Sequence, residues 1–315
     1  MAMILVTGGC GTIGERVVSG LLKKGNSVVA VDNNPSDYNE GKENYTFRQA
    51  APNEKGKYAD IFDEFEIEYV VHLACTVDND FGPIVDKKQM DISAACDKFL
   101  YKLAIGKEIK KFILVSTTQI YKQPDSREPV REHDPEKPIS NYAKMKSDAE
   151  HAFATDSKAT KTMIRCIMRI PPVYSLDFTD NLTSRITDPK DKSLFVFRTG
   201  EYGFHFCCIH NISDFIIGFF RQADELSFTG LYNVADSKLI MASEIITFMK
   251  THHRLGVVVQ RSSTAVGLKA KLFGDPAEKT DYRYLDMETL DKNFMFDITK
   301  ASRLCPFRWN IDNTK

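Results

Sequence analysis

The stretch "MILVTGGCGTIG", residues 3–14, decides the fold. An apolar run with β-branched Ile4 and Val6 leads straight into glycines, and apolar residues then recur at helical spacing, at Ile13, Val17 and Leu21. The order is strand, tight turn, helix. Gly8, Gly11 and Gly14 form a GxxGxxG pattern. Glycine there lets the backbone turn sharply and lets a phosphate reach the helix N-terminus, where free N–H groups and the helix dipole favour an anion. The pattern alone is weak, and its context strengthens it. Asp32 closes the next strand, "SVVAVD" (27–32), about 20 residues further on, where a carboxylate accepts hydrogen bonds from a ribose diol.

An acidic residue at that point repels a 2′-phosphate, and no arginine follows in "DNNPSD", so the expected cofactor is NAD in preference to NADP. The competing reading is a tight turn with a solvated aspartate.

Three more strands follow: "YVVHLA" (69–74), "FILVS" (112–116) and "MIRCIMR" (163–169), with helix-like stretches between the first four of the series. They are apolar almost throughout and do not alternate, as expected of parallel strands covered on both faces. "YTFRQ" adds a short strand in the otherwise poorly determined region 33–60. The fold class is α/β, a doubly wound parallel sheet of the Rossmann type. Residues 1–170 are the expected dinucleotide-binding domain. Residues 171–315 are the expected substrate region, smaller, mixed and interleaved with returns to the sheet, with "SLFVF", "GLYNVAD" and "FMFDITKASRLC" among its pieces.

The 315 residues are 43% apolar, enough for a sizeable core. Forty-two basic residues nearly cancel 43 acidic ones, which gives no general attraction to nucleic acid or acidic membranes. Seven cysteines, at 10, 75, 96, 166, 207, 208 and 305, lack CxxC spacing and suggest reduced thiols in a cytoplasm. "MILVTGG" is too short for a signal h-region or a membrane span. His252 and His253 have no spaced partners, so no metal site is expected.

A second motif lies in "SNYAKMKSDAEHAF" (140–153). Tyr142 and Lys146 are four apart, so on a helix they share one face about a turn apart. Thr117 ends the "FILVSTTQIY" strand 142 − 117 = 25 residues earlier, at the strand end where open α/β sheets bind ligands. The phenol pKa, about 10, is too high for a base at neutral pH. A cation about 5 Å away at an effective dielectric of about 20 is worth roughly 3 kcal/mol, or about 2 pKa units downward. Lys146 is placed to supply that charge. A solvated surface pair is the competing reading.

Taken in order, "TGGCGTIG", "HLAC" (72–75), "STTQIY", "YAKMK", "RIPPVY" (169–174), "GLYNVAD" (230–236) and "FDITKASRL" (296–304) resemble the extended short-chain dehydrogenase/reductase family, also called the NAD-dependent epimerase/dehydratase family. The resemblance covers most of the chain. It implies that Gly8, Gly11, Thr12, Ile13, Gly14, Asp32, Leu73, Ala74, Tyr142 and Lys146 bind NAD. It also implies that Thr117, Tyr142 and Lys146 are catalytic. Tyr142 then takes the proton of a substrate hydroxyl while hydride leaves the same carbon for NAD⁺, and Thr117 fixes that oxygen.

The departures narrow the activity. Dehydratases of this family carry Asp-Glu after the strand-end Thr, and decarboxylases carry Glu at position 119; this chain has Thr118 and Gln119. What remains is oxidation–reduction at one carbon. The leading expectation is a nucleotide-sugar 4-epimerase, and the alternative is an alcohol dehydrogenase or ketone reductase acting on a small non-nucleotide substrate. A non-enzymatic NAD-binding sensor is a third possibility, disfavoured because Tyr142 and Lys146 are both kept. Pro172 replaces a usual Asn, and Cys207 stands where the family's "Arg-Asp-Phe-x-His-Val-x-Asp" segment carries Arg. Diphosphate contacts are therefore open, with Arg185, Arg198 or Arg261 as candidates, and Thr118, Gln119, Arg185 and Arg198 are the candidate substrate-binding residues. "AAPN" after "YTFRQ" lacks an Asp that often contacts adenine.

A homodimer is an open expectation. Ile92, Cys96, Phe99 and Leu103 form a stripe on a helix at 90–104, and Ala149, Ala152 and Phe153 lie on the Tyr142 helix. These stripes face either a second copy or the chain's own sheet. His72 is expected to make a structural hydrogen bond and Asp214 to fix a loop or helix start, while His210 has no assigned role. Trp309 and "CPFRW" are expected to pack the C-terminal region, and "GKEIKK" (106–111) to be a solvated connection.

Overall fold

A computed structural model describes residues 2–75, 87–122, 128–155, 163–188, 192–261 and 294–314. The opening strand β1 (Met3–Thr7) leads through the glycine turn into α1 (Thr12–Lys23). Then follow β2 (Ser27–Asp32), β3 (Tyr45–Gln49), α2 (Lys55–Glu64), β4 (Tyr69–His72), α3 (Lys87–Gly106), β5 (Lys111–Thr117), α4 (Asn141–Thr155) and β6 (Ile164–Ile170). After β7 (Val173–Tyr174), α5 (Asp180–Ser184), β8 (Leu194–Phe197), β9 (Gly203–Phe204) and β10 (Cys207–Cys208), helix α6 (Ile209–Phe220) and β11 (Gly230–Asn233) return to the main sheet. The seven strands run β11-β6-β5-β4-β1-β2-β3, each pair parallel. Sequence grouping assigned "GLYNVAD" to the smaller region; its first four residues form this sheet's edge strand.

The continuous apolar runs are explained by two covered faces. Ile4, Val6, Val28, Ala30, Val71, Ile113 and Val115 pack under Val17, Val18 and Leu21 of α1 and Ile212, Phe215 and Phe219 of α6. Their neighbours Leu5, Val29, Val70, Phe112 and Leu114 face the other way, onto Ile61 of α2, Leu100 and Tyr101 of α3, and Phe153 of α4. A third cluster joins Tyr174, Leu182, Phe195, Phe197 and Phe206 to Ile245 and Phe248 of α7 (Ala242–His252). It lies outside the sheet's two faces.

The α3 stripe is rotated from its expected place. The buried face is Ser93, Cys96, Asp97, Leu100, Tyr101 and Ala104, whereas Ile92, Phe99 and Leu103 are half-buried at its border. Asp97 is buried where it accepts from His72 beside the cleft. Asp214 fixes a loop, as expected: its carboxylate accepts from Trp309 Nε1 at 2.9 Å and pins the C-terminal tail. His210 lies against the Trp309 ring, with centroids 4.8 Å apart. In the "GKEIKK" connection, Lys111 is buried and donates to the carbonyls of Phe220 and Gln222 beyond the C-terminus of α6.

Two buried titratable groups tie the third cluster to the sheet. His205, 6% exposed, donates from Nε2 to the Asp236 carbonyl (2.7 Å) and accepts at Nδ1 from the Phe296 N–H (2.9 Å). The Asp236 carboxyl accepts from the Tyr174 hydroxyl (2.6 Å), the Cys208 N–H (2.7 Å) and Asn211 Nδ2 (2.8 Å). Burial pushes His205 down from 6.5 to about 4 and Asp236 up from 3.8 to about 6.

The signs are opposite. Neutral His205 stabilises the fold above pH 6.5, a contribution lost as pH falls through about 4. Protonated Asp236 stabilises it below 3.8, a contribution lost as pH rises through about 6. Each shift corresponds to about 3 kcal/mol, so the two largely offset across the same window. Asp236→Asn removes one side of the balance. Urea denaturation from pH 7 to 4 is expected to show the variant losing about 3 kcal/mol more than the wild type across that range. Parallel stability curves for the two proteins contradict the assignment.

Candidate active site

The strands' C-terminal ends and the helices that follow them frame one cleft of about 760 Å³. Its first wall is the glycine turn. Gly8 has φ +69°, and a Cβ there would lie 2.9 Å from the Ala74 backbone nitrogen; a Cβ on Gly14 would lie 2.0 Å from the Gly8 carbonyl oxygen. Only glycine permits turn, helix and β4 end to meet this closely. Gly11 caps α1 with extended backbone and no side-chain bond, so the first N–H groups of the helix face the cleft unsatisfied within it, an anion seat.

Asp32 stands beside this seat. One carboxylate oxygen accepts from the Asn33 and Asn34 N–H groups (2.7 and 3.4 Å), the other from the Cys10 N–H (3.0 Å). The carboxylate is thereby fixed, and lone pairs remain for a diol. A turn that no Cβ could share, an uncapped helix start and a fixed carboxylate fit the pyrophosphate and ribose of a dinucleotide.

The far wall is β5 and α4. Thr117, Tyr142 and Lys146 line the same cleft as Gly8, Gly11, Thr12, Ile13, Gly14, Asp32, Leu73 and Ala74. Thr117 Oγ1 accepts from the Gln119 N–H at 3.2 Å, which leaves its hydroxyl proton to point elsewhere. Lys146 is only 3% exposed and donates to the Val115 carbonyl at 3.2 Å. Burial works against its charge. The surrounding Cys75, Tyr142, Asp97 and Glu150 outweigh that and hold its pKa above the ordinary lysine value. Burial also lifts the Cys75 thiol's pKa, so at neutral pH the carboxylates are the neighbours that keep Lys146 an ammonium.

Each carboxylate is held in turn. Asp97 accepts from His72 Nε2 (2.7 Å), and the Thr7 hydroxyl is 2.6 Å from His72 Nδ1 while accepting from the Ala74 N–H (3.3 Å). His72 therefore has the structural role expected of it, as the link between the glycine turn and α3. Glu150 lies one turn beyond Lys146 and accepts three hydrogen bonds from Arg169, which is 1% exposed and also bonds Glu136. The Arg169 guanidinium covers the Tyr121 ring at 4.5 Å.

Sequence reading gave no role to Asp97, Glu150 or Arg169. The signals were an acidic residue four after Lys146 and the arginine of "RIPPVY". Ser116 was also missed; it lines the cleft beneath Thr117, as do Asn181 and Phe178 on the substrate side.

The other candidates lie elsewhere. Thr118 is buried in a 3₁₀ turn (Thr118–Ile120) outside the lining, whereas Gln119 and Pro172 line the cleft. The Arg185 guanidinium lies over the Phe204 and Phe206 rings, at 5.1 and 5.4 Å. Arg198 sits in an exposed turn with φ +50°. Arg261, the last residue of β12 (Val258–Arg261), bonds Asp188 and Ser193. None of the three lines the cleft, and Cys207 is fully buried.

The model of the NAD dependent epimerase/dehydratase family matches residues 4–235. The chain is 28% identical over 152 residues to UDP-glucose 4-epimerase of Halalkalibacterium halodurans, covering 48% of this chain and 45% of that protein. It is 32% identical over 165 residues to UDP-glucuronate 4-epimerase of Thermodesulfobacterium geofontis, covering 48% and 50%. The matched stretches thus span half or less of these curated relatives. Among solved structures, UDP-glucose 4-epimerase from Bifidobacterium longum in complex with NAD⁺ and UDP shares the fold, with a TM-score of 0.73 at 16% identity over 99% of this chain and 96% of that one.

Glu150→Gln leaves the buried Arg169 with Glu136 as its charged partner. A loss of about 3 kcal/mol in urea unfolding is expected, the usual cost of an uncompensated buried charge. A loss below about 1 kcal/mol shows that Glu136 suffices.

Proposed function

The chain belongs to the NAD dependent epimerase/dehydratase family, and from that premise we propose that it catalyses NAD-dependent oxidation–reduction at a secondary alcohol carbon. The observation carrying this reading is the buried Lys146 one helical turn from Tyr142, both facing the cleft that the glycine turn and Asp32 enter from the other side.

NAD supplies the acceptor for the hydride. The rest belongs to the chain. The Lys146 ammonium lowers the energy of the Tyr142 phenolate, which takes the substrate hydroxyl proton and becomes the neutral phenol. Thr117, with its oxygen already accepting from Gln119, donates its proton to the same substrate oxygen and holds it beside the phenol. Gln119 faces the cleft with an amide, which neither gives nor takes a proton, so elimination and decarboxylation lack their acid–base partner.

The leading form is a nucleotide-sugar 4-epimerase, supported by the epimerases among the relatives. In that form the ketone turns over and takes the hydride back on its other face. The second form is a dehydrogenase or ketone reductase acting on a small non-nucleotide alcohol. In its favour, the substrate end of the described cleft is walled by Pro171, Pro172, Val173 and Phe178, with Arg185, Arg198 and Arg261 outside it. Mass spectrometry of the purified protein separates the two forms. Retained NAD supports the epimerase, and empty protein that consumes NADH supports the reductase.

Tyr142→Phe is expected to reduce turnover at least a hundredfold with NADH affinity nearly unchanged, since the ring stays and only the proton relay goes. A variant keeping a tenth of the rate shows that Tyr142 is not the base. Asp32→Ala is expected to weaken NAD binding far more than NADP binding in parallel titrations. Equal losses remove the basis for NAD preference.

A further inference from the structure

Two loops border the cleft where it passes over the start of α1. Asn33 and Asn34 of the loop after β2 line one lip, and Phe178 of the loop after β7 lines the other. Just outside the lining, a single side chain joins them. Arg16 Nη2 donates to the Asp177 carboxylate at 2.7 Å, while Nη1 donates to the Tyr38 hydroxyl. The guanidinium also lies over the Tyr38 ring at 4.4 Å, and Lys42 Nζ lies 4.8 Å from the same ring.

Each partner is itself secured. Lys42 donates to Asn39 Oδ1 (2.6 Å), and Asn39 Nδ2 donates to the Glu15 carbonyl (3.0 Å). Ser36 of the same loop donates to the Glu15 carboxylate. On the other lip, the Phe178 N–H donates to Ser175 Oγ (3.1 Å) and the Ser175 N–H to the Phe178 carbonyl (3.0 Å). The Arg16 carbonyl is held from below by Ser213 of α6. Arg16 is thus a bridge between two locally rigid loops, and its partner Asp177 lies 161 residues further along the chain.

We infer that Arg16 is a clasp over the phosphate seat: it holds the two lips together around a bound dinucleotide and slows its departure. The inference rests on the dinucleotide reading above. A planar, forked side chain suits this, since its two terminal nitrogens reach the two loops in fixed directions. The clasp is also meant to open. Arg16 is 18% exposed and Asp177 70%, so the pair is weak and screened by salt. It acts on the time the cofactor stays.

The test is NADH release from the loaded full chain, followed by fluorescence after mixing with excess NAD⁺, beside NADH association and the melting temperature of the NADH-free protein. Arg16→Ala and Asp177→Asn are each expected to speed release about fivefold to tenfold, in keeping with one exposed ion pair and one cation–π contact. Association should stay within about twofold and melting within about 2 °C, the range of an ordinary surface substitution. The double variant should release no faster than Arg16→Ala, because Asp177 acts through Arg16. Added KCl should speed release from the wild type and leave Arg16→Ala unchanged. Equal release from wild type and Arg16→Ala overturns the clasp, as does faster release accompanied by a large fall in melting temperature. Wild type that binds no NADH overturns the dinucleotide reading as well.

Discussion

A lysine ammonium buried to 3% exposure must be matched by charge, and the matching of Lys146 organises this molecule around its cleft. Two carboxylates from different helices do it, Asp97 from α3 and Glu150 from α4. Neither stands alone. Asp97 is tied through His72 and Thr7 to the first residues of the glycine turn, and Glu150 through Arg169 to β6. The charge that serves the phenol therefore also fixes α3, α4, β4 and β6 relative to the turn. A shift of α4 by one residue would break the pairing with Arg169 and carry Tyr142 off the cleft.

This arrangement explains which parts could be read from the chain. Strands covered on both faces write themselves as apolar runs, and a turn that tolerates no Cβ writes itself as glycines. The Tyr142–Lys146 spacing is visible because a helix puts both on one face. α3 was misread for the opposite reason. Its buried face includes Ser93 and Asp97, which interrupt apolar periodicity, so an apolarity criterion turns to Ile92, Phe99 and Leu103 at the border. The arginines were not legible at all. A cation's type does not say whether it meets a ligand or the chain's own groups; Arg185 met Phe204 and Phe206, and Arg261 met Asp188 and Phe195. That the later region returns to the sheet was legible; which four residues do so was not, because β11 is so short.

The chemistry is limited by the same geometry. Of the described residues lining the cleft, the charged ones are Asp32, Lys146 and Asp180. Asp32 is occupied at the ribose end by three backbone N–H groups, and Lys146 lies below the surface. In the proposed reading, proton transfer near the reacting carbon falls to Tyr142, with Thr117 as a donor beside it. One base and one donor suffice to make and unmake a ketone.

How long the cofactor stays then decides what a ketone-forming site becomes. A site that oxidises its substrate and lets the ketone go must exchange its cofactor every turnover. One that returns the hydride to the opposite face needs no exchange, and loses efficiency whenever the reduced cofactor escapes before the ketone has turned over. Residues that hold the lips of the cleft closed therefore bear on the reaction's outcome without touching the reacting atoms. As the clasp inferred above, Arg16, joining the loop after β2 to the loop after β7, is the side chain that would bear on that choice.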